Sequence, residues 1–121
     1  MPNRERVAAL IKRVEDGRYV EALQEFYADD ATMQENGQAP RIGLKKLVEH
    51  ERGVMAAFKE IRTLPVKTWL VDGDHVTIHW VFEFTRPDGT RFGMDELALQ
   101  RWRGDRVAEE RFYYDPAQLS P

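Results

Sequence analysis

The hydrophobic period of this chain changes near its middle, and that change limits what it can fold into. In the first half, Val7, Leu10, Ile11 and Val14 recur at i, i+3, i+4 and i+7, which is one face of a helix. Asn3 is placed to cap that helix and Asp16-Gly17 to stop it. A second short helix carries Val20, Leu23 and Phe26 or Tyr27. The spacing of Leu44, Leu47, Val48, Val54, Met55, Phe58 and Ile61 predicts a third helix over 44–61. From Val76 the period drops to two: Val76, Ile78, Trp80, Phe82 and Phe84 alternate with Thr77, His79, Val81 and Glu83. This is the pattern of a half-buried strand.

Turn signals at Asp72-Gly73, Pro87-Asp88-Gly89 and Gly104-Asp105 divide the second half into four antiparallel strands, near 64–71, 75–85, 90–103 and 106–114. Residues 31–35 read as a short extra strand, and 36–40 as a turn. Helices followed by a meander form an α+β pattern, and the helices must cover one face of the sheet. Strands this long twist and curl, which makes the covered face concave. The 121 residues fit one domain, 1–121, large enough to bury about two-thirds of the surface of its unfolded chain.

Composition removes whole classes of chemistry. There is no cysteine, which excludes disulfides, thiolate metal sites and a thiol nucleophile. The only serine is Ser120, next to the last residue, so a buried serine nucleophile is not expected either. A net charge of −3 with scattered basic residues gives no footprint for nucleic acid. No apolar run is long enough for a membrane span, and the charged stretch 1–17 does not read as a signal peptide, so the expected location is the cytoplasm. Chemistry is left to carboxylates, tyrosines and three histidines, with no metal and no cofactor expected. Nine of the thirteen aromatic residues lie from Trp69 onward, on the strands.

The run Phe26-Tyr27-Ala28-Asp29-Asp30-Ala31-Thr32 follows a two-helix start and precedes Pro40-Arg41-Ile42-Gly43 and a long helix. The meander closes with Leu99-Gln100-Arg101-Trp102-Arg103-Gly104 and Glu110-Arg111-Phe112-Tyr113-Tyr114-Asp115. Over nearly its whole length the chain resembles the nuclear-transport-factor-like superfamily, in its SnoaL-like polyketide cyclase and ketosteroid isomerase-like branch. The resemblance implies a cone-shaped, curved antiparallel sheet wrapped around a long helix, with two further N-terminal helices. It also implies a homodimer through the outer sheet face. In the steroid isomerases the general base is a carboxylate just after this segment, and ungapped counting puts that position on Glu35. The same counting puts the isomerase oxyanion donors on Ile11 and Ala98, which have nothing to donate, with Glu96 two residues from Ala98.

The residues themselves add further candidates. Glu51 sits in the middle of the third helix's apolar stripe, where a carboxylate is costly unless it is paired or kept neutral. It reads as a pocket acid or base of raised pKa, as half of a buried ion pair, or as the sign of a helix end that leaves the core earlier than its stripe implies. His50 flanks it, as a proton shuttle or a half-exposed packing residue. His75 and His79 are four apart on a strand, a span of roughly 13 Å, too long to chelate one ion. His79 is expected at the surface or a subunit interface.

The strand 94–102 can face either way. If Trp102 points inward, so do Met94, Glu96, Ala98 and Gln100, and the resemblance prefers this choice. Glu96 and Gln100 then join Trp80, Phe82, Phe112 and Tyr114 around a cavity, with Asn36 at its rim. Taken singly, such aromatics read as core. Three carboxylates converging on them favour a cavity. Tyr27, Tyr113 and Tyr114 either donate to a ligand oxygen or cap the core with their hydroxyls in water.

The expected function is that of a small-molecule pocket protein acting on an apolar carbonyl or hydroxyl compound by acid–base catalysis, as an isomerase, cyclase or dehydratase. Glu35, Glu51 and Glu96 are the candidate catalytic residues. The alternatives are a non-catalytic module for a hydrophobic ligand and a partner-binding subunit, whose outer sheet face presents Val81, Leu97, Leu99 and Tyr113.

Overall fold

The computed structural model describes residues 2–119, so Ser120 lies outside the described residues. Helix α1 (Arg4–Glu15) opens as expected: the Asn3 side chain accepts from the Glu5 amide at 2.7 Å. It buries Val7, Leu10 and Ile11. The chain leaves it through Gly17, whose φ of +77° suits a residue without a Cβ. Helix α2 (Tyr19–Phe26) follows, and β1 (Tyr27–Glu35) starts directly after it. The strand is thus longer than the 31–35 expected. It turns through Asn36, at φ +49°, into the two-residue strand β2 (Arg41–Ile42).

Helix α3 spans Leu44–Ala57 and is shorter than the predicted 44–61. The backbone becomes extended at Phe58, and Glu60–Thr63 forms strand β3 against the far end of the long meander strand. Sheet pairing therefore takes Ile61 from the helix. Phe58 still serves the apolar interior, packed on Phe84 and Phe92 at ring distances of 4.9 and 5.8 Å. Met55, assigned to the stripe by its spacing, is exposed. The expected strand 64–71 is replaced by β3 and by β4 (Trp69–Asp72), which flank an irregular stretch containing Pro65, a residue with no N–H to give a ladder.

Strands β5 (His75–Thr85), β6 (Arg91–Arg103) and β7 (Arg106–Tyr113) form the predicted meander. The β5–β6 turn closes at Gly89, φ +88°, with the Asp88 carboxylate accepting from the Thr90 amide at 2.9 Å. The curved, open sheet runs β2-β1-β7-β6-β5-β3, with β4 also paired to β5. It is antiparallel except at the β1–β7 junction, which is parallel, so the sheet is mixed.

The alternation on β6 settles which way that strand faces. Met94, Glu96, Ala98, Gln100 and Trp102 are buried, while Leu97 and Leu99 on the opposite face are exposed. The main core, including Leu10, Phe26, Leu47, Ile78 and Trp102, lies between the helices and this inner face. On the outer face His79 pairs with Asp95 at 2.5 Å, near exposed Leu97, Leu99 and Tyr113. Among the described residues no group of side chains is arranged to hold a metal, and no helix is long and apolar enough to cross a membrane.

Candidate active site

The core does not fill the space under the sheet. A cavity of about 360 Å³ remains between α1, α2, α3 and the inner strand faces. Trp80, Phe82 and Phe84 from β5, Phe92 from β6 and Phe112 from β7 supply most of its aromatic wall. Rings two residues apart on β5 stand on the same face of the strand, which makes a continuous run: Trp80–Phe82 at 5.9 Å and Phe82–Phe84 at 6.2 Å. Four carboxyl groups enter this wall, from Glu35, Glu51, Glu96 and Glu110, together with one guanidinium, from Arg41.

Two of the carboxyls are held by hydrogen bonds. Glu35 is half-buried at the end of β1, where it accepts from Arg41 at 2.5 Å and from the Tyr114 hydroxyl at 3.0 Å. Burial and the bond to Glu35 push the Tyr114 hydroxyl up to about 12. Glu110 is buried on β7 and accepts from the Tyr27 hydroxyl and, at 2.7 Å, from the Gln100 amide. Burial raises its pKa to about 7, against the opposing pull of those two donors.

The other two face the cavity with no hydrogen bond from a described residue. Glu96 is only 8% exposed, and its pKa is raised to about 8 by burial first and then by the negative charges of Glu110, Glu35 and Glu51. Glu51, on α3, is raised by burial and by Glu35, while Arg41 opposes the shift. Burial and Arg41 lower the pKa of neighbouring His50, and Glu35 works the other way. The Tyr19 hydroxyl, also on the wall, shares a 2.7 Å hydrogen bond with Thr63 and is raised chiefly by burial.

The cavity thus brings together Glu35, Glu51, Glu96, Tyr27, His50, Trp80, Phe82, Phe112 and Tyr114. Three expected ligand contacts lie off the wall. The Asn36 side chain accepts from the Tyr114 amide at 3.0 Å and fixes the turn. Gln100 is fully buried between Glu110 and Trp102, and Trp102 spends its indole N–H on the Gln100 oxygen at 2.9 Å. Ile11 and Ala98 are plain core. Sequence reasoning passed over Glu110, Arg41 and Tyr19. Period two from Phe112 and Tyr114 places Glu110 on the same inner face, so a signal for it existed. Arg41 carries none, because its approach to Glu35 depends on the turn at 36–40.

Helices closing a curved sheet over an acidic, aromatic-walled cavity give this chain the nuclear-transport-factor-like fold. More narrowly, the chain belongs to the SnoaL-like polyketide cyclase family, whose model matches residues 5–121. Among solved structures, it is similar to TerC co-crystallised with polyporic acid, at 18% identity and a TM-score of 0.82, covering 99% of this chain and 96% of that one. It is also similar to an NTF2-like protein of unknown function from Burkholderia pseudomallei, at 13% identity and a TM-score of 0.82, covering 96% and 92% of the two chains. A protein with a ketosteroid isomerase-like fold from Catenulispora acidiphila, in complex with trimethylamine, is 24% identical with a TM-score of 0.77, covering 92% and 85%. At these identities the likeness is one of fold. No curated protein matches the chain.

Proposed function

We propose that this chain is an acid–base enzyme that works with its own carboxyls on an apolar carbonyl compound, as an isomerase, cyclase or dehydratase. The observation that carries the proposal is the pair Glu51 and Glu96: both open onto the aromatic-walled cavity without a hydrogen bond from a described residue, and burial raises both. Glu51, in its ionised fraction, takes the proton from the carbon next to the carbonyl. Glu96, protonated near neutral pH, donates its O–H to the carbonyl oxygen as negative charge develops there. The enolate then recovers a proton at another carbon, closes on a second carbonyl, or expels a hydroxyl. Glu35 is committed to Arg41 and Tyr114, and its part is to bind the polar end of the substrate. The co-crystallisation of TerC, a protein of this fold, with polyporic acid supports an organic ligand here. The same proposal has the chain pairing as a homodimer through the outer sheet face.

The test needs no natural substrate. 5-Nitrobenzisoxazole opens when a base removes the proton at C3: the N–O bond breaks and the electrons end on the phenolate oxygen, where a donor helps. A bell-shaped pH–rate profile, lost in both Glu51→Gln and Glu96→Gln, is the expected result. Binding of apolar ligands that ignores pH, with full rate or no rate in every variant, would instead make the cavity a non-catalytic binding module.

A further inference from the structure

Two carboxyls of the cavity, Glu96 and Glu110, face opposite conditions. Trp102 has a single N–H and can only donate, so the Gln100 oxygen 2.9 Å away must be its acceptor. That fixes the Gln100 amide, whose nitrogen then points to the Glu110 Oε2 at 2.7 Å. The Tyr27 hydroxyl donates to the other oxygen, Oε1. Both Glu110 oxygens are therefore acceptors, and the two donors favour its carboxylate against the burial that opposes it. Glu96 lies on the neighbouring strand and the same inner face with no donor among the described residues, so its carboxyl keeps a proton more readily than Glu110 does.

We propose that Glu110 is a positioning residue, whose ionised form Tyr27 and the Trp102–Gln100 relay favour over that of Glu96, and whose charge keeps Glu96 in its hydrogen-bond-donating form. The inference rests on the acid role given to Glu96 above. Other groups facing Glu96 are Glu35 at the end of β1, Arg41 on β2, Glu51 and His50 on α3, and Tyr114 just beyond β7. Of these only Glu35 also accepts from two donors, but it is half-buried and its charge is paired with Arg41, whereas Glu110 is buried and has no cation beside it among its hydrogen-bond partners. Glu110 is also the largest charge acting on Glu96, ahead of Glu35 and Glu51.

The experiment is a titration of the full chain labelled with ¹³C at the glutamate carboxyls, followed by NMR, with Glu96 assigned through Glu96→Gln. In the native chain the Glu96 midpoint is expected above that of Glu110. In Tyr27→Phe the Glu110 midpoint rises and the Glu96 midpoint falls, which narrows or reverses the order. In Glu110→Gln the Glu96 midpoint falls by roughly one unit. If that variant does not fold, Trp102→Phe, which removes the relay's indole donor together with part of a buried ring, is expected to move the two midpoints as Tyr27→Phe does. A merely structural role would lower stability in these variants and leave the Glu96 midpoint in place, and that result overturns the proposal. The titration is independent of turnover. A native chain that shows the expected shifts but does not open 5-nitrobenzisoxazole supports the relay and counts against the catalytic reading alone.

Discussion

Trp80 on β5 and Glu96 on β6 are direct cross-strand partners, and both face the cavity. Directly opposite residues on one sheet face have Cβ atoms about 5 Å apart, so the carboxyl lies beside a large apolar ring in place of water. That neighbour is part of the burial that raises Glu96 to about 8.

Stability should fall as pH rises through the neutral range. A carboxyl whose pKa is raised in the folded state binds more protons there than in the unfolded chain, so its cost sets in above the unfolded value and is complete above the folded one. For Glu96 the window runs from the ordinary glutamate range up to about 8, and Glu110 and Glu51 add in the same direction. Glu96→Gln is expected to match the native chain near pH 5 and to exceed it by a few kcal/mol, on the order of 2–4, at pH 9. Thermal unfolding followed by circular dichroism across that range checks it; a native melting temperature that does not change with pH would contradict the raised pKa values.

Removing the base should separate activity from stability. Glu51→Gln deletes a half-buried charge that makes no hydrogen bond to a described residue, so its melting temperature at pH 8 should stay level or rise. The rate with 5-nitrobenzisoxazole should drop by about 10²–10⁴-fold. A variant that keeps full rate removes Glu51 from the mechanism.

Gln100→Leu should be costly for the fold. The change leaves the Trp102 N–H and one Glu110 oxygen without their partners in a fully buried place. Each orphaned group costs about 1–3 kcal/mol, and urea unfolding should show a loss of roughly 2–5 kcal/mol. A loss below about 1 kcal/mol would mean that water or a shifted side chain takes over the amide's role.

The outer face bears on oligomeric state. Leu97 is 48% exposed, Leu99 39% and Tyr113 42%, on adjacent strands. Sedimentation at micromolar concentration is expected to give a dimer, and the double change Leu97→Lys, Leu99→Lys a monomer. A monomeric native chain would rule out pairing through this face.

Periodicity made most of the fold legible. Two apolar patterns, one of 3.6 and one of two, gave the helices, the meander and the inward set Met94, Glu96, Ala98, Gln100 and Trp102 once the facing was chosen. It erred where both patterns fit the same residues. Phe58 and Ile61 continue the stripe of α3, yet pairing of Glu60–Thr63 with β5 wins, because a strand edge offers these backbone groups partners that a fraying helix end does not.

The sequence by itself determined that this chain is an α+β domain with acid groups set against apolar patterns, because side-chain spacing along one element needs no knowledge of its neighbours. Only the tertiary structure decided what those groups are. Gln100 and Trp102 leave the cavity wall to hold Glu110, Arg41 arrives beside Glu35, and Glu96 is left without a donor among the described residues. Those outcomes depend on which strands pair and in which register, and hydrogen bonds between residues 10 and 83 positions apart are set by that pairing.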